Sequence, residues 1–128
     1  MIVAGIGSKR GVSRQEVLAA LDAALLRAAL SHADISLLAT PAVKGGETGI
    51  SEAAASLGLP LVLVPQTRLE AAAGRAQTHS ERVVALLRVP SAAETAALAA
   101  AGPQAQLVGP RLALGPVTCA LARRGEEA

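Results

Sequence analysis

The fold is decided by the opening stretch Ile2-Val3-Ala4-Gly5-Ile6-Gly7-Ser8-Lys9-Arg10-Gly11-Val12-Ser13, in which a short apolar run passes into a glycine-rich, basic turn. Residues 2–6 are apolar and contain β-branched side chains, a composition typical of a buried strand. Ser13 and Glu16 then form an S-x-x-E capping box, and apolar residues recur after it at helical spacing, which predicts a helix over 13–30. A strand that feeds a helix through a short turn is the first unit of an α/β fold.

The same alternation continues through the first half of the chain. Strands are predicted over 35–40 and 61–64, and a short helix is predicted over 50–57 between them. Gly58 and Pro60 are the usual punctuation at the end of a helix. Because crossovers between strands of one sheet are right-handed, these three strands are predicted to be parallel.

The second half predicts three more helices, each begun by a capping residue. The caps are Thr67 with Glu70, then Thr78 or Ser80, and finally Ser91 with Glu94, which opens an alanine-rich helix over 91–101. The stretch 75–78 is predicted to be mobile.

Two final strands are predicted over 106–108 and 117–121. The eight residues between them are too few for a helical crossover, so the strands are predicted to form an antiparallel pair. The sequence therefore predicts one domain over 1–122, a three-layer α/β/α fold. Its five-stranded mixed sheet has three parallel strands plus a C-terminal antiparallel pair, and a frayed tail follows over 123–128. The strand order is left open.

Composition excludes several functions. Hydrophobic residues make up 52% of the 128-residue chain, yet Phe, Tyr and Trp are absent, so the core must be aliphatic. A net charge of +2, with no basic run longer than two residues and no aromatic side chain for base stacking, argues against nucleic-acid binding. No apolar run approaches the roughly 20 residues of a membrane span, and the opening stretch is not expected to act as a secretory signal.

The single cysteine, Cys119, excludes an internal disulfide and fits a reducing compartment, so the expected location is the cytoplasm. His32, His79 and Cys119 lie far apart in sequence and give no metal-ligand spacing. Neither a metal nor a cofactor is expected.

In an open α/β sheet, ligands bind outside the carboxyl ends of the parallel strands. Those ends feed the loops 7–12, 40–49 and 65–80, which are rich in Gly, Lys, Arg, Thr and Gln. In the first loop, glycines allow close approach of the backbone, and free N–H groups with Lys9 and Arg10 can face an anion. The alternative is a tight turn with two solvated cations. The glycines follow GxGxxxG, which is neither a dinucleotide fingerprint nor a P-loop.

The second loop offers Thr40, Lys44 and Glu47. Lys44 can clamp an anion or, if desolvated, exchange a proton, and Glu47 is the nearby carboxylate able to act as a base. Both can equally be exposed loop residues. In the third loop Gln66 and Ser80 are candidate ligand contacts, although adjacency of His79 and Ser80 does not make a nucleophilic pair.

Several segments, in this order and spacing, are similar to one known family. They are VAGIGSKRGVS at 3–13, ADISLLAT at 33–40 followed by Lys44, LGLPLVLV at 57–64, HSERV at 79–83, VPSAAETAAL at 89–98 and VTCALAR at 117–123. The chain resembles the CobE family and the C-terminal domain of CbiG, over nearly its whole length. It departs from the family at Arg111, where the family tends to carry lysine.

The resemblance implies a role in assembling the corrin ring of cobalamin. CbiG is associated with opening the ring-A δ-lactone of a cobalt-precorrin and losing a two-carbon fragment as acetaldehyde, whereas CobE belongs to the oxygen-dependent route without a clear step. Three hypotheses follow: binding of a polyanionic precorrin or hydrogenobyrinic-type intermediate, lactone opening with Lys44 and Glu47, or docking to a pathway methyltransferase through the helix at 91–101. The expected ligand contacts are Gly5, Gly7, Ser8, Lys9, Arg10, Gly11, Thr40, Lys44, Gln66, Ser80 and Arg111.

Overall fold

A computed structural model describes residues 1–124 of the chain. Its strands are β1 (Ile2–Ser8), β2 (Ile35–Pro41), β3 (Leu61–Val64), β4 (Gln106–Leu107), β5 (Leu112–Leu114) and β6 (Val117–Arg123). Its α-helices are α1 (Arg14–Ala28), α2 (Thr48–Leu57), α3 (Gln66–Ala72), α4 (Glu81–Leu87) and α5 (Ala92–Ala101). Short 3₁₀ helices lie at His32–Asp34, Ala42–Lys44 and Ala73–Arg75.

The strands form one mixed sheet in the order β3-β2-β1-β6-β4, with β5 also paired to β6. The three N-terminal strands are parallel, which confirms the prediction. Strand β6 runs antiparallel to β1 along its whole length, from Ile2 opposite Arg123 to Ser8 opposite Val117. The last strand along the chain is therefore an interior strand of the sheet.

The C-terminal part of the sheet differs from the sequence prediction in two ways. Strand β5 was not predicted; it forms a tight hairpin with β6 through Gly115, whose φ of +59° suits glycine. The predicted frayed tail is wrong at its start, because Arg123 lies in β6 and the Arg124 N–H donates to the Met1 carbonyl at 2.9 Å. Residues 125–128 of that predicted tail lie outside the described residues.

Helices cover both faces of the sheet, as the predicted three-layer arrangement requires. Helices α1 and α2 pack on one face over a core that includes Ile6, Leu21 and Leu38. Helices α3 and α5 pack on the other face over a core that includes Val3 and Leu98. Both cores are built from aliphatic side chains and alanine, so the helices must approach the sheet closely.

The closest approach is that of α5 to β1. A Cβ added at Gly5 would lie 2.1 Å from the Ala93 carbonyl oxygen, which leaves no room for a side chain. Nine of the ten residues of α5 are buried. The predicted docking of a partner through the helix at 91–101 is therefore wrong, because that helix faces the interior.

The helix caps predicted from the sequence were partly correct. The capping box of Ser13 and Glu16 forms at α1, and Ser80 and Ser91 cap α4 and α5. The predicted box of Thr67 with Glu70 is wrong, because α3 already begins at Gln66 and Glu70 instead accepts a hydrogen bond from the Gln66 side chain.

Among residues 1–124, no single helix has the length and apolar character needed to cross a membrane. One pair, α4 with α5, reaches that length and composition together, but the two helices are bent by 61° at the break between them.

Candidate functional site

Two loops at the carboxyl edge of the sheet are joined into one structure. The Gly11 N–H in the loop after β1 donates to the Glu47 carboxylate in the loop after β2, at 2.8 Å. A Cβ at Gly49 would lie 2.2 Å from the Val12 carbonyl oxygen, so the two segments are also in direct contact. The Lys9 N–H donates to the Pro116 carbonyl of the β5–β6 hairpin at 3.0 Å. We call residues 8–12, 42–47 and 114–116 together the carboxyl rim.

The carboxyl rim carries three cations without a counter-ion. Lys9 and Arg10 are exposed and Lys44 is half-buried. Within the described part of the chain, the side chains of these three residues have no hydrogen-bond or ion-pair partner. Glu47 is the one carboxylate in the rim, so the local charge is positive and favours an anion.

Ser8 lies at the base of the carboxyl rim, as the last residue of β1. Its Oγ is buried and, among residues 1–124, is the one buried side-chain polar atom without a hydrogen-bond partner. Buried hydroxyl groups nearly always have a partner, so this oxygen lacks a hydrogen bond that such groups normally make.

Three predicted contacts have packing roles in the structure. Thr40 is fully buried, and its hydroxyl donates to the Ile6 carbonyl at 2.8 Å, which joins β2 to β1. The space beside Gly5 is filled by α5, and a Cβ at Gly7 would lie 2.6 Å from the Thr118 hydroxyl. At Gly5 the obstacle is the backbone of α5, so glycine is required there for helix–sheet packing; at Gly7 the nearest atom is a side chain of β6, and Ala92 of α5 lies 3.3 Å away.

Gln66 and Ser80 hold α4 to the rest of the protein. The Gln66 amide donates to the Leu87 carbonyl at 2.6 Å, and the Ser80 N–H donates to the Pro90 carbonyl at 2.8 Å. The Ser80 hydroxyl accepts from the Val83 N–H at 3.3 Å. No residue of α4 is fully buried, but the half-buried Val83 and Leu87 pack against the core beneath α5, so apolar contacts attach the helix as well as these hydrogen bonds.

Sequence reasoning missed the most elaborate polar cluster of the described residues, which is centred on Glu94. This side chain is fully buried, and its carboxylate accepts hydrogen bonds from the Gln77 N–H (2.7 Å), the Thr78 N–H (2.8 Å), the Thr78 hydroxyl (2.7 Å) and the Arg111 N–H (2.8 Å). Burial alone would raise the pKa of Glu94, but the hydrogen bonds from Thr78, Arg111 and Gln77 outweigh it and lower the pKa below its ordinary value.

The sequence assigned Glu94 to a capping box, and only half of that box forms. The Ser91 hydroxyl accepts from the Glu94 N–H at 3.2 Å, while the carboxylate turns away to the two loops. The available signal was that Glu94 is the one charged residue in a buried helix that is apolar apart from Glu94 and Thr95. Its bonds also fix Gln77 and Thr78, and the Arg75 guanidinium donates to the Ala105 carbonyl at 2.9 Å, so the stretch predicted to be mobile is tied down.

The remaining reactive groups lie elsewhere. His32 pairs with Asp22 and His79 with Glu81, all on the surface. Burial raises the pKa of the Cys119 thiol to about 12. In the described residues no group of three or more His, Cys, Asp or Glu side chains could hold a metal ion. A shallow depression of about 330 Å³ between α5 and β4 is lined by Arg75, Gln77, Leu98, Ala105, Gln106 and Leu107 and lies apart from the carboxyl rim.

A mixed sheet covered by helices on both faces, with unpaired cations at the ends of its parallel strands, defines a three-layer α/β protein with a positively charged edge. The family described as Cobalamin synthesis G C-terminus matches residues 2–122. Protein CobE of Sinorhizobium sp. is 33% identical over 121 residues, which cover 94% of this chain and 79% of that protein. The chain belongs to the CobE/CbiG C-terminal family of cobalamin biosynthesis proteins.

Solved structures agree with this assignment. The crystal structure of CobE, from the cobalamin biosynthetic pathway, has a TM-score of 0.94 at 30% identity and covers all of this chain and 93% of that one. Cobalamin biosynthesis protein chiG from Agrobacterium tumefaciens str. C58 is 40% identical with a TM-score of 0.79, covering 98% of this chain and 100% of that one. A cobalamin biosynthesis protein G homolog from Sulfolobus solfataricus shares the fold at 22% identity, with a TM-score of 0.75 over 97% of this chain and 37% of that one.

Proposed function

We propose that this chain binds a polyanionic corrin-ring intermediate of cobalamin biosynthesis at the carboxyl rim. Corrin precursors carry acetate and propionate groups around a flat apolar ring. The family supplies the pathway, and the carboxyl rim offers the complementary chemistry.

The observation that carries the proposal is the joining of two basic loops. Lys9 and Arg10 on one loop and Lys44 on the other are kept in one region by the bond from Gly11 to Glu47. Holding like charges together is unfavourable unless an anion neutralises them, so unpaired cations on joined loops favour a ligand with several carboxylates. The Ser8 hydroxyl, buried and without a partner among residues 1–124, lies at the base of the same rim.

Apolar side chains flank these cations. Val43 is 69% exposed, and Leu63 and Leu114 are each 45% exposed. Val43 precedes Lys44, and Leu63 lies under the same loop, since a Cβ at Gly45 would be 2.9 Å from its side chain. Leu114 is opposite Val117, which is itself opposite Ser8. These aliphatic groups can contact the face of a macrocycle without aromatic stacking.

Removal of the cations tests the proposal. We expect Lys9→Ala, Arg10→Ala and Lys44→Ala each to weaken binding of hydrogenobyrinic acid by about 5- to 10-fold, and the triple variant by about 100-fold or more. Arg123→Ala is the matched control and should bind like the unmodified protein, because Arg123 is paired with Ile2 at the opposite end of the strands. Absorbance titration of the corrin measures the affinity directly. Equal affinity in the triple variant and the unmodified protein would contradict the proposal.

We expect the main role of Glu47 to be structural, because its carboxylate accepts the hydrogen bond from the Gly11 N–H that joins the two loops. Glu47→Gln keeps an oxygen that can accept from the Gly11 N–H, so we expect it to retain both stability and affinity. Glu47→Ala removes the acceptor, and we expect a loss of about 1 kcal/mol in the free energy of unfolding together with weaker binding. Urea unfolding followed by circular dichroism and corrin titration measure the two quantities. Equal affinity in Glu47→Gln and Glu47→Ala would show that the acceptor does not organise the site.

Hydrolytic lactone opening is a second candidate for the same residues. One observation favours it: the second carboxylate oxygen of Glu47 has no partner within residues 1–124. Glu47 also follows the unpaired Lys44 by three residues in the same loop. Glu47 would take a proton from water as the water oxygen bonds to the lactone carbonyl carbon, and Lys44 would stabilise the developing oxyanion. The ring C–O bond would then break as Glu47 returns the proton to the leaving alkoxide. In this case Glu47→Gln would abolish ring-A lactone opening in a precorrin assay while leaving binding intact. Turnover by Glu47→Gln at the rate of the unmodified protein would rule the base out.

A further inference from the structure

We infer that Glu94 is a positioning residue for ligand binding, which acts by fixing the backbone of Arg111 so that its guanidinium contacts a second carboxylate of the ligand. The inference rests on the proposed function and names a part of the site outside the carboxyl rim.

Arg111 lies in a bulge between β4 and β5, the two short strands that pair with β6. Between the pairs Leu107–Ala122 and Leu112–Cys119, the four residues 108–111 oppose only the two residues 120 and 121 of β6. Such a bulge redirects side chains out of the regular alternation and is common beside binding sites. Gly109, with a φ of +103°, provides the turn that the bulge requires.

Side chains from opposite faces of the sheet hold this bulge. On the α1 face, the Arg27 guanidinium donates to the Pro110 carbonyl. On the α5 face, the Arg111 N–H donates to the Glu94 carboxylate at 2.8 Å. The single Pro110–Arg111 peptide group is therefore fixed at both its C=O and its N–H, by residues 83 and 17 positions away.

The Arg111 side chain itself remains available. It is half-buried and has no hydrogen-bond or ion-pair partner in the part of the chain that the structure describes. Strand β5 is two strands from β1, which corresponds to about 10 Å across the sheet, and Arg111 precedes the end of β5 by three residues, about 10 Å along it. Arg111 and the Lys9–Arg10 pair can thus contact different carboxylates of one macrocycle.

Glu94 links this bulge to α5, whose first turn contacts the sheet beside the carboxyl rim. A Cβ at Gly7 would lie 3.3 Å from Ala92 Cβ. The carboxylate is buried and has no cation partner within residues 1–124, so it depends on its four hydrogen-bond donors. A displacement of the Glu94 carboxylate would therefore displace the Arg111 backbone, which donates to it.

A double-mutant cycle tests the inference, with hydrogenobyrinic acid as the probe and absorbance titration as the measurement. We expect Arg111→Ala to weaken binding about 10-fold and Glu94→Gln to weaken it by a similar factor. The double variant should be no worse than either single variant, because both changes remove the same contact. Arg111→Lys should recover part of the affinity.

Arg68→Ala is the matched control for folding. It removes the hydrogen bond from the Arg68 side chain to the Ala99 carbonyl of α5 (2.9 Å) and leaves all four bonds to the Glu94 carboxylate, so we expect it to lower stability without changing affinity. If Glu94→Gln does not fold, Glu94→Asp, which withdraws the carboxylate by one methylene, serves in the same cycle.

Three outcomes would overturn the inference: unchanged affinity in Arg111→Ala, unchanged affinity in Glu94→Gln, or a double variant whose loss is the product of the two single losses. If these occur while the Lys9, Arg10 and Lys44 variants bind weakly, the proposed function stands and only the role of Glu94 is lost. Absence of binding by the unmodified protein would overturn both.

Discussion

Gly5→Ala is expected to lower the free energy of unfolding by about 3 kcal/mol or more, or to prevent folding altogether. The added Cβ would lie 2.1 Å from the Ala93 carbonyl oxygen and 2.7 Å from the Ala97 N. Both atoms belong to the backbone of α5, so no rotation of a side chain can relieve the overlap. Because α5 also contacts β2 and β6, its displacement would disturb the whole of that face of the core.

The measurement is urea unfolding followed by far-ultraviolet circular dichroism, since the chain has no Trp or Tyr for fluorescence. Gly74→Ala is the control, because nothing lies within 4 Å of its added Cβ and its backbone is not left-handed. We expect this control to change stability by less than about 1 kcal/mol, with a gain as plausible as a loss. Similar losses in Gly5→Ala and Gly74→Ala would contradict the packing argument.

Glu94→Gln is expected to lower the free energy of unfolding by about 3 kcal/mol at pH 7. The carboxylate accepts four hydrogen bonds, whereas an amide presents its own N–H₂ group toward donors and leaves some of them without an acceptor. Glu94 is fully buried, and among the described residues no side-chain cation pairs with its carboxylate.

The same substitution has a defined pH dependence. The pKa of Glu94 in the folded protein lies below its ordinary value of 4.5, so its charged form stabilises the fold above that value. As the pH falls through 4.5 toward the lower folded pKa, Glu94 contributes progressively less. The difference in stability between the unmodified protein and Glu94→Gln should therefore narrow from pH 7 to pH 3, as measured by urea unfolding at each pH. Glu52→Gln controls for general acid effects, because Glu52 is exposed on α2 and its side chain has no partner among the described residues. A constant difference across this range would show that the charge of Glu94 is not the cause.

Much of the fold could be predicted because local signals and long-range packing agree in the first half of the chain. The apolar run 61–64 forms β3 with the predicted bounds, and Ser13 with Glu16 caps α1 as expected. Strand β5 could not be predicted, because Leu112–Leu114 is short and flanked by Gly and Pro residues that resemble a continuous turn. The position of β6 in the sheet could not be predicted either, because the pairing of β6 with β1 depends on the side chains of the assembled core.

The candidate site was predicted in outline. The rule that ligand loops follow parallel strands led to Lys9, Arg10 and Lys44, and the structure brings their two loops into contact. The same rule misassigned Gly5 and Gly7, because a glycine that permits close approach can serve a helix as well as a ligand. Glu94 was missed because a capping box explains a glutamate at that position locally, and its partners Thr78 and Arg111 lie 16 and 17 residues away.

The interior position of β6 also affects how the protein is made. During translation, β1 to β3 leave the ribosome long before residues 117–123, so β1 has one unpaired edge for most of synthesis. An open strand edge can pair with other nascent chains, and every truncated product that stops before residue 117 retains it. With this topology, a nascent chain therefore exposes an open strand edge to chaperones and proteases for longer than it would if the last strand were added at the outside of the sheet.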